Sequence, residues 1–142
     1  MTRPTLLQNG PLAPALEAAL AAEFDVQRLA DQANPQTFLA QHGARFTGLA
    51  TSAPAGASAA LLAALPNLRV ISSHGVGLDK IDLAVAAQRG IQVGYTPDVL
   101  NDCVADLAMG LLIDGARRIA DSFEMARASQ RGEFASPRHS LR

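Results

Sequence analysis

Short apolar stretches alternate with longer segments whose apolar side chains recur every three or four positions, from the first residues to about residue 93. Side chains alternate across a strand and repeat every ~3.6 residues on a helix, so each short stretch predicts a strand and each longer segment an amphipathic helix. The predicted strands are Thr5–Gln8, Phe24–Leu29, Phe46–Thr51, Leu68–Ser72 and Ile91–Val93.

The helices between these strands carry start and stop signals. Asn34 is expected to be an N-cap with Pro35 in the first turn, and Asp82 is expected to cap a later, short helix. Gly43 and Gly90 are expected to end these two helices. Regular alternation of strand and helix predicts right-handed crossovers and a parallel sheet covered on both faces. The predicted fold class is therefore α/β, a doubly wound parallel sheet of about five strands whose order the periodicity leaves open.

The pattern changes after residue 98. Asn101 is expected to cap one helix that continues to about Ala128, with apolar positions at Val104, Leu107, Ala108, Leu111, Leu112, Ile119 and Phe123. At a rise of 1.5 Å per residue, about 27 residues span roughly 40 Å, which is longer than a compact domain of this size is wide. Part of this helix is therefore expected to contact another domain or subunit. Residues 129–142 are polar and are interpreted as a linker.

Composition and charge narrow the class of protein. The 142 residues fit one ordinary domain, and 49% are hydrophobic while the net charge is -1, which argues against a disordered tail and against nucleic-acid binding. A single cysteine excludes an intrachain disulfide, and no pattern of metal ligands is expected. The chain begins without the apolar stretch of a secretory signal, and no apolar run approaches the ~20 residues that cross a bilayer. We therefore expect a cytoplasmic protein that does not enter membranes.

The segment from Ser72 to Asp82 offers the clearest candidate for ligand binding. It follows the fourth predicted strand, where parallel sheets usually bind ligands, and its glycines expose backbone N–H groups that can hold a carboxylate or phosphate. A dinucleotide-binding loop would need a third glycine, but Lys80 stands there after Gly75 and Gly77. The segment is therefore not a nucleotide loop, and a plain tight turn remains the alternative.

Two stretches make the comparison with a known family specific. GVGLDKIDL, and then GIQVGYTPDVLNDCVADLAMGLLIDGARRI, resemble the signature of the D-isomer-specific 2-hydroxyacid dehydrogenases, with the glyoxylate/hydroxypyruvate reductases as the closest subgroup. The resemblance is strongest from Leu65 to Ile119. It implies a flavodoxin-like substrate domain, a Rossmann-type nucleotide domain inserted into it, and an active-site cleft between the two.

The resemblance also implies roles for particular residues. Val76 and Gly77 match the family's backbone contact with the substrate carboxylate, and Val104 matches a contact on the nicotinamide side of the cofactor. The family's catalytic arginine, histidine and carboxylate match nothing in these 142 residues, so no catalytic residue is assigned and the chain alone is expected to be inactive. Lys80 departs from the family pattern, where asparagine is common, as does Gly94-Tyr95, where threonine and asparagine are frequent.

For the complete protein the resemblance implies a hydride transfer between NAD or NADP and a small 2-oxo or 2-hydroxy acid, and a homodimer. The expected organisation is a substrate-binding domain over residues 1–98, an interdomain or dimerisation helix over 99–128, and a linker over 129–142 that leads to a nucleotide domain.

Several residues that could suggest chemistry are better explained otherwise. His74 adjoins the turn, but the family's histidine comes from another region. Asp79 and Asp82 are expected to fix the turn and to cap a helix, rather than to act as paired carboxylates. Cys103 has no nearby base in sequence and is expected to be a small packing residue. Arg117, like the arginine that follows it, is expected to mark a solvated or interface surface.

Two rival functions stay open at this point. One is a stand-alone flavodoxin-like module that binds a small molecule or transmits a signal. Gln8-Asn9-Gly10 argues against it, because a phosphoacceptor receiver needs acidic residues there and a flavin domain needs a phosphate loop. The other is a non-enzymatic dimerisation domain built on the long helix, which the sequence does not exclude.

Overall fold

The computed structural model describes residues 3–131. The chain divides into two compact units, Met1–Val99 and Leu100–Arg142, and each is described by itself. Among the described helices, none combines the length and the apolar character that crossing a membrane requires.

The first unit is built on a five-stranded parallel sheet, which confirms the predicted fold class. Its strands, in chain order β1 to β5, are Thr5–Asn9, Asp25–Arg28, Gly48–Ser52, Val70–His74 and Gln92–Gly94. The spatial order is β2-β1-β3-β4-β5, and all pairs are parallel. Strands β3 and β4 begin two residues later than predicted, because Phe46 and Leu68 are buried in the core without belonging to the ladder.

Four helices connect these strands: α1 over Pro14–Glu23, α2 over Pro35–His42, α3 over Ala59–Ala63 and α4 over Leu83–Gln88. The two predicted N-caps are confirmed, since Asn34 accepts a hydrogen bond from Thr37 N (3.0 Å) and Asp82 accepts one from Val85 N (3.0 Å). Gly43 does not stop α2 by a left-handed turn, because its φ is -55° and a short 3-10 turn follows. It is a packing glycine, since a Cβ there would overlap the carbonyl oxygen of Ala64.

The main hydrophobic cluster lies on one face of the sheet. Strand residues Leu7, Leu49 and Ile71 pack in one cluster with Leu62 of α3 and Ala86 of α4. On the opposite face of β4 the side chains of its first, third and last residues are exposed: Val70, Ser72 and His74. The sheet was expected to be covered on both faces. Along β4, residues 3–131 cover only one face.

In the second unit, residues 100–131 form two helices, α5 over Asn101–Arg117 and α6 over Ile119–Gln130. The prediction of one helix to about Ala128 is wrong, because Arg118 adopts a left-handed conformation (φ 54°, ψ 45°) between them. Asp114 stabilises this break: its backbone oxygen accepts from Arg118 N, and its Oδ1 accepts from Ala120 N at 2.7 Å. That carboxylate caps α6.

The start and end of this unit also differ from expectation. Leu100 is the N-cap of α5 and Asn101 is its first helical residue, so the prediction of Asn101 as the N-cap is wrong. The helix α6 still includes the first two residues of the predicted linker, 129 and 130, and residues 132–142 of that linker lie outside the described residues.

Candidate functional site

The loops that follow the strands meet at one edge of the sheet, because parallel strands all end there. In open parallel sheets, ligands bind in the crevice outside these carboxyl ends. The candidate turn, Gly75 to Gly77, follows β4 at this edge. Val76 and Gly77, the two predicted substrate contacts, are adjacent there and partly buried.

The loop after β3 holds the candidate turn from one side. Ala53 N donates to the carbonyl oxygen of His74 (3.2 Å), and Ala57 N donates to that of Lys80 (2.9 Å). Gly56 lies so close to Lys80 that any Cβ would overlap the lysine backbone, and its φ of +63° also favours glycine. The two loops therefore form one hydrogen-bonded framework.

The end of β1 is tied to the same framework. Asn9 Nδ2 donates to the carbonyl oxygen of Gly56 (3.0 Å), and Thr51 Oγ1 donates to that oxygen (2.9 Å) as well as lying 3.0 Å from the carbonyl oxygen of Asn9. Thr51 is fully buried. The edge is therefore rigidly connected from β1 through β3 to β4.

Gly75 is a glycine for reasons of structure. Its φ is +139°, and a Cβ there would lie 2.8 Å from Ala53 Cβ, which is too close for two carbon atoms. Its backbone makes two hydrogen bonds with Thr96 after β5: Thr96 N donates to Gly75 O (3.1 Å), and Gly75 N donates to Thr96 Oγ1 (3.1 Å). Reasoning from the sequence did not identify Thr96.

Gly77 differs from Gly75, because nothing in residues 3–131 requires a glycine there. Its φ is outside the left-handed region, and a Cβ would make only ordinary contacts, 3.5 Å from Asp79 Oδ2 and 3.8 Å from Ala53 Cβ. Within the described part of the chain, the N–H groups of Val76 and Gly77 donate to no protein acceptor. Two consecutive N–H groups that donate to no protein acceptor can bind a small anion.

The acidic side chains near the turn do not favour anion binding. Asp79 is exposed beside Gly77 and makes no side-chain hydrogen bond within residues 3–131, so the prediction that it fixes the turn finds no bond to support it. Asp82 caps α4 instead of pairing with Asp79. Lys80, which follows Asp79 in the chain, is also exposed and carries the opposite charge, so a carboxylate at this turn would meet the main-chain N–H groups together with side-chain charges of both signs.

A separate polar cluster stabilises the loop after β1. Glu17 accepts hydrogen bonds from Gln8 Nε2 (2.7 Å) and Leu12 N (3.3 Å), and it pairs with Arg28. These contacts, the hydrogen bond from Gln8 above all, hold the pKa of Glu17 below its ordinary value. The glutamate therefore stays ionised and serves the structure of the edge rather than proton transfer.

A hollow on the first unit lies away from the turn. It measures about 550 Å³ and is lined by nine residues, none of them charged: Asn9, Leu29, Gln36, Leu39, Ala40, Ser58, Ala60, Leu61 and Ala64. A carboxylate needs charged or multiple N–H donors, so this hollow does not suit an anionic substrate.

The turn also does not suit the diphosphate of a dinucleotide. Such sites place the glycine turn directly at a helix N-terminus, where the dipole and free N–H groups hold the phosphates. Here α4 begins at Leu83, well after Gly77, and its own first turn is capped by Asp82. We therefore derive no cofactor chemistry from the first unit.

The remaining predicted residues belong to the second unit. Val104, the predicted cofactor contact, is 58% exposed on α5 in the second unit, whereas Val76 and Gly77 belong to the first unit. Cys103 is exposed and its thiol donates to the carbonyl oxygen of Leu100 (3.2 Å), so the prediction of a packed cysteine is wrong. Cys103 lies in the first turn of α5, where no side chain of residues 3–131 buries it.

Comparison with known proteins is consistent along nearly the whole chain. The family model described as the catalytic domain of D-isomer specific 2-hydroxyacid dehydrogenases matches residues 7–137. Glyoxylate/hydroxypyruvate reductase A of Arabidopsis thaliana is 39% identical over 131 residues, which cover 91% of this chain and 42% of that protein.

Solved structures agree with the sequence relatives. A 2-hydroxyacid dehydrogenase from Ketogulonicigenium vulgare is 42% identical, with a TM-score of 0.82 over 96% of this chain and 43% of the other. An NADPH-dependent glyoxylate/hydroxypyruvate reductase from Sinorhizobium meliloti, solved with NADP and malonate, is 31% identical with a TM-score of 0.69, over 99% of this chain and 44% of that one. The chain thus spans less than half the length of these relatives.

Proposed function

Since this chain belongs to the D-isomer specific 2-hydroxyacid dehydrogenase family, we propose that it binds the substrate for a nicotinamide-dependent reductase of the glyoxylate/hydroxypyruvate type. In this reaction a hydride from the reduced nicotinamide adds to the keto carbon of a 2-oxo acid, and a proton adds to the keto oxygen to give the 2-hydroxy acid. The role of this chain in the reaction is to bind the substrate carboxylate at the turn after β4.

The observation that carries the proposal is the pair of free N–H groups at Val76 and Gly77. Two adjacent N–H donors can bond the two oxygens of one carboxylate, and hydrogen bonds to an ionised acceptor are roughly twice as strong as neutral ones. Holding the carboxylate fixes the direction of the keto carbon next to it. The contribution is positional, because it lowers the entropy cost of reaching the reactive geometry.

Cofactor and chemistry are assigned to other parts of the protein. NAD or NADP supplies the hydride, and Val104 of α5 is the proposed contact on the nicotinamide side. We assign residues 1–98 to substrate binding, 99–128 to interdomain or subunit contact and 129–142 to a linker, in a cytoplasmic protein. Because no family catalytic group matches these 142 residues, the chain alone should not turn over glyoxylate or hydroxypyruvate with either cofactor. Turnover by a pure preparation would contradict this assignment.

The test of substrate binding is an NMR titration of the labelled 142-residue chain with hydroxypyruvate. The amide signals of Val76 and Gly77 should shift most, and Gly77→Val should abolish the shifts because a branched side chain would crowd the ligand at these N–H groups. Gly94→Val is the matched control, since Gly94 lies in β5 and a Cβ there meets nothing closer than 3.9 Å. Shifts centred elsewhere, or equal losses in both variants, would show that the ligand is not bound at this turn.

We also propose that the helices of the second unit form a subunit contact. Leu107, Leu111 and Leu112 are between 62% and 66% exposed on α5, and apolar patches of this kind commonly mark interaction sites. Leu112→Glu should therefore weaken association measured by sedimentation. Ile113→Glu is the matched control, because adjacent helical residues point about 100° apart. A monomeric unmodified chain at high concentration, or equal effects of both variants, would contradict a homodimer through this face.

The rival interpretation of a stand-alone binding module loses its main support once the family is established. A module of that kind should bind hydroxypyruvate no better than other small molecules at the turn. The titration above therefore separates the two functions as well.

A further inference from the structure

We infer that Thr96, in the loop after β5, is a positioning residue for the carboxylate-binding turn, an inference that rests on the proposed function of that turn. Thr96 would not touch the substrate. Its role is to hold Gly75 so that the next two N–H groups point toward the ligand.

The contact between Thr96 and Gly75 is reciprocal. Thr96 N donates to the carbonyl oxygen of Gly75 at 3.1 Å, and Gly75 N donates to the hydroxyl oxygen of Thr96 at 3.1 Å. The two residues are 21 positions apart in the chain, and each lies in the loop that follows one of two neighbouring strands, β4 and β5. One residue therefore binds the peptide groups on both sides of the Gly75 Cα.

Planarity of the peptide carries this constraint to the substrate site. In a trans peptide the C=O and the following N–H point in opposite directions. Because the Gly75 carbonyl points at Thr96, the Val76 N–H in the same peptide plane must point away from Thr96. The main-chain bond from Thr96 thus restrains the first proposed carboxylate donor from the other side of its own peptide. The Thr96 hydroxyl, which accepts from Gly75 N, restrains the preceding peptide and so limits the rotation at Gly75 that sets the direction of this donor.

Gly75 is where such a constraint is most needed. A glycine at φ +139° has wide conformational freedom, and no side chain of its own restricts the turn. Ala53 on the opposite side limits the space but supplies no directional bond to Gly75. The hydroxyl of Thr96 completes the pair of bonds that fixes both φ and ψ.

Two variants separate the hydroxyl from the rest of the side chain. Thr96→Val keeps the shape and the backbone N–H bond to Gly75 O but removes the acceptor for Gly75 N. Thr96→Ser keeps that acceptor and loses only a methyl group. A merely structural role of the methyl group would make serine the more harmful change, whereas positioning through the hydroxyl makes valine the more harmful one.

The first measurement needs no ligand. Hydrogen exchange of the Gly75 amide in the 142-residue chain should accelerate in Thr96→Val and stay near the unmodified rate in Thr96→Ser. Equal exchange rates in all three proteins would overturn the inference directly, whether or not the turn binds a substrate.

The second measurement is the hydroxypyruvate titration followed at Val76 and Gly77. Loss of one exposed hydrogen bond should raise Kd roughly three- to tenfold in Thr96→Val, with Thr96→Ser within about twofold of the unmodified chain. An unchanged Kd in Thr96→Val, or equal weakening in both variants, overturns the positioning role. If exchange of the Gly75 amide accelerates only in Thr96→Val but the unmodified chain binds no hydroxypyruvate, the proposed function is wrong. The substrate-positioning role of Thr96 is then wrong as well.

Discussion

Apolar residues occur throughout both units, but many are buried in the first unit and none is buried in the described residues of the second. In the first unit, apolar residues such as Leu62 and Ile71 are fully buried and the loops are joined by hydrogen bonds from β1 to β5. In the second unit none of the residues of α5 and α6 is buried, although Leu111 and Leu112 are as apolar as any core residue. The same apolar pattern thus describes a finished core in one unit and an uncovered surface in the other.

This difference shows what the periodicity of apolar residues can predict. Periodicity indicates which face of an element avoids water, but it does not identify what covers that face. Matched substitutions in the two units can therefore test the comparison one residue type at a time.

Leucine should give the largest contrast. Leu62→Ala removes a side chain with no exposure and should lower the free energy of unfolding of the first unit by about 2–5 kcal/mol. Leu112→Ala, at a position 66% exposed, should change it by less than about 0.5 kcal/mol. Urea unfolding followed at the amide signals of β1 and β3 measures both. A large loss in Leu112→Ala would show that the first unit depends on α5.

Glycine should give the next contrast, with opposite signs. Gly75→Ala introduces a Cβ at a φ of +139° and near Ala53, and should destabilise the first unit by about 1–3 kcal/mol. Gly110 lies in α5 with nothing within 4 Å of a new Cβ, so Gly110→Ala should stabilise that helix by about 0.5–1 kcal/mol. Thermal unfolding and helical circular dichroism report these changes. Weaker association of Gly110→Ala would instead show that a partner packs closely against that glycine.

Aspartate should give a smaller contrast that concerns binding rather than stability. Removing the charge in Asp79→Asn should lower the Kd for hydroxypyruvate about two- to threefold at low salt, because a carboxylate beside Gly77 repels the substrate. Asp106→Asn, on α5, should leave the Kd unchanged. If added salt does not diminish the gain from Asp79→Asn, the effect is not electrostatic.

Glutamate should give the smallest contrast, visible only as a dependence on pH. The pKa of Glu17 is lowered in the folded chain, so its stabilising contribution is present above its ordinary pKa and is lost as pH falls through the lowered value. The first unit should therefore lose more stability on acidification than its Glu17→Gln variant does. Glu124→Gln, which removes an exposed pair with Arg127 at 3.8 Å, serves as the control and should not change that pH dependence. Identical acid profiles of the unmodified chain and Glu17→Gln would refute the role given to Glu17.

Much of the first unit could be predicted because its signals are local. Asn34 and Asp82 cap helices through bonds to residues three positions away, and such bonds leave a readable sequence pattern. The starts of β3 and β4 were misplaced because Phe46 and Leu68 are buried without strand pairing, and burial alone does not distinguish the two.

The features that escaped prediction depend on contacts between distant residues or on an unusual backbone angle. The break at Arg118 follows from the carboxylate of Asp114 reaching Ala120, whereas an uninterrupted apolar pattern favours one helix. The bond between Thr96 and Gly75 joins two loops that only the sheet brings together. Val76 and Gly77 could be proposed as substrate contacts because a family resemblance implied that role, while Thr96, the residue proposed to orient them, left no motif of its own.

A binding site made of main-chain atoms, as proposed at Val76 and Gly77, would depend little on the side chains of its own residues. No substitution at Val76 deletes its N–H unless the new residue is proline, so the identity of that side chain says little about whether the donor works. What must travel with the turn are the neighbours that shape it: Gly56, Gly75 and Thr96, contributed by three separate loops. A graft of only the five residues around the turn would keep the sequence but lose the backbone conformation. A scaffold of unrelated sequence could present the same two N–H groups if it made the same three contacts.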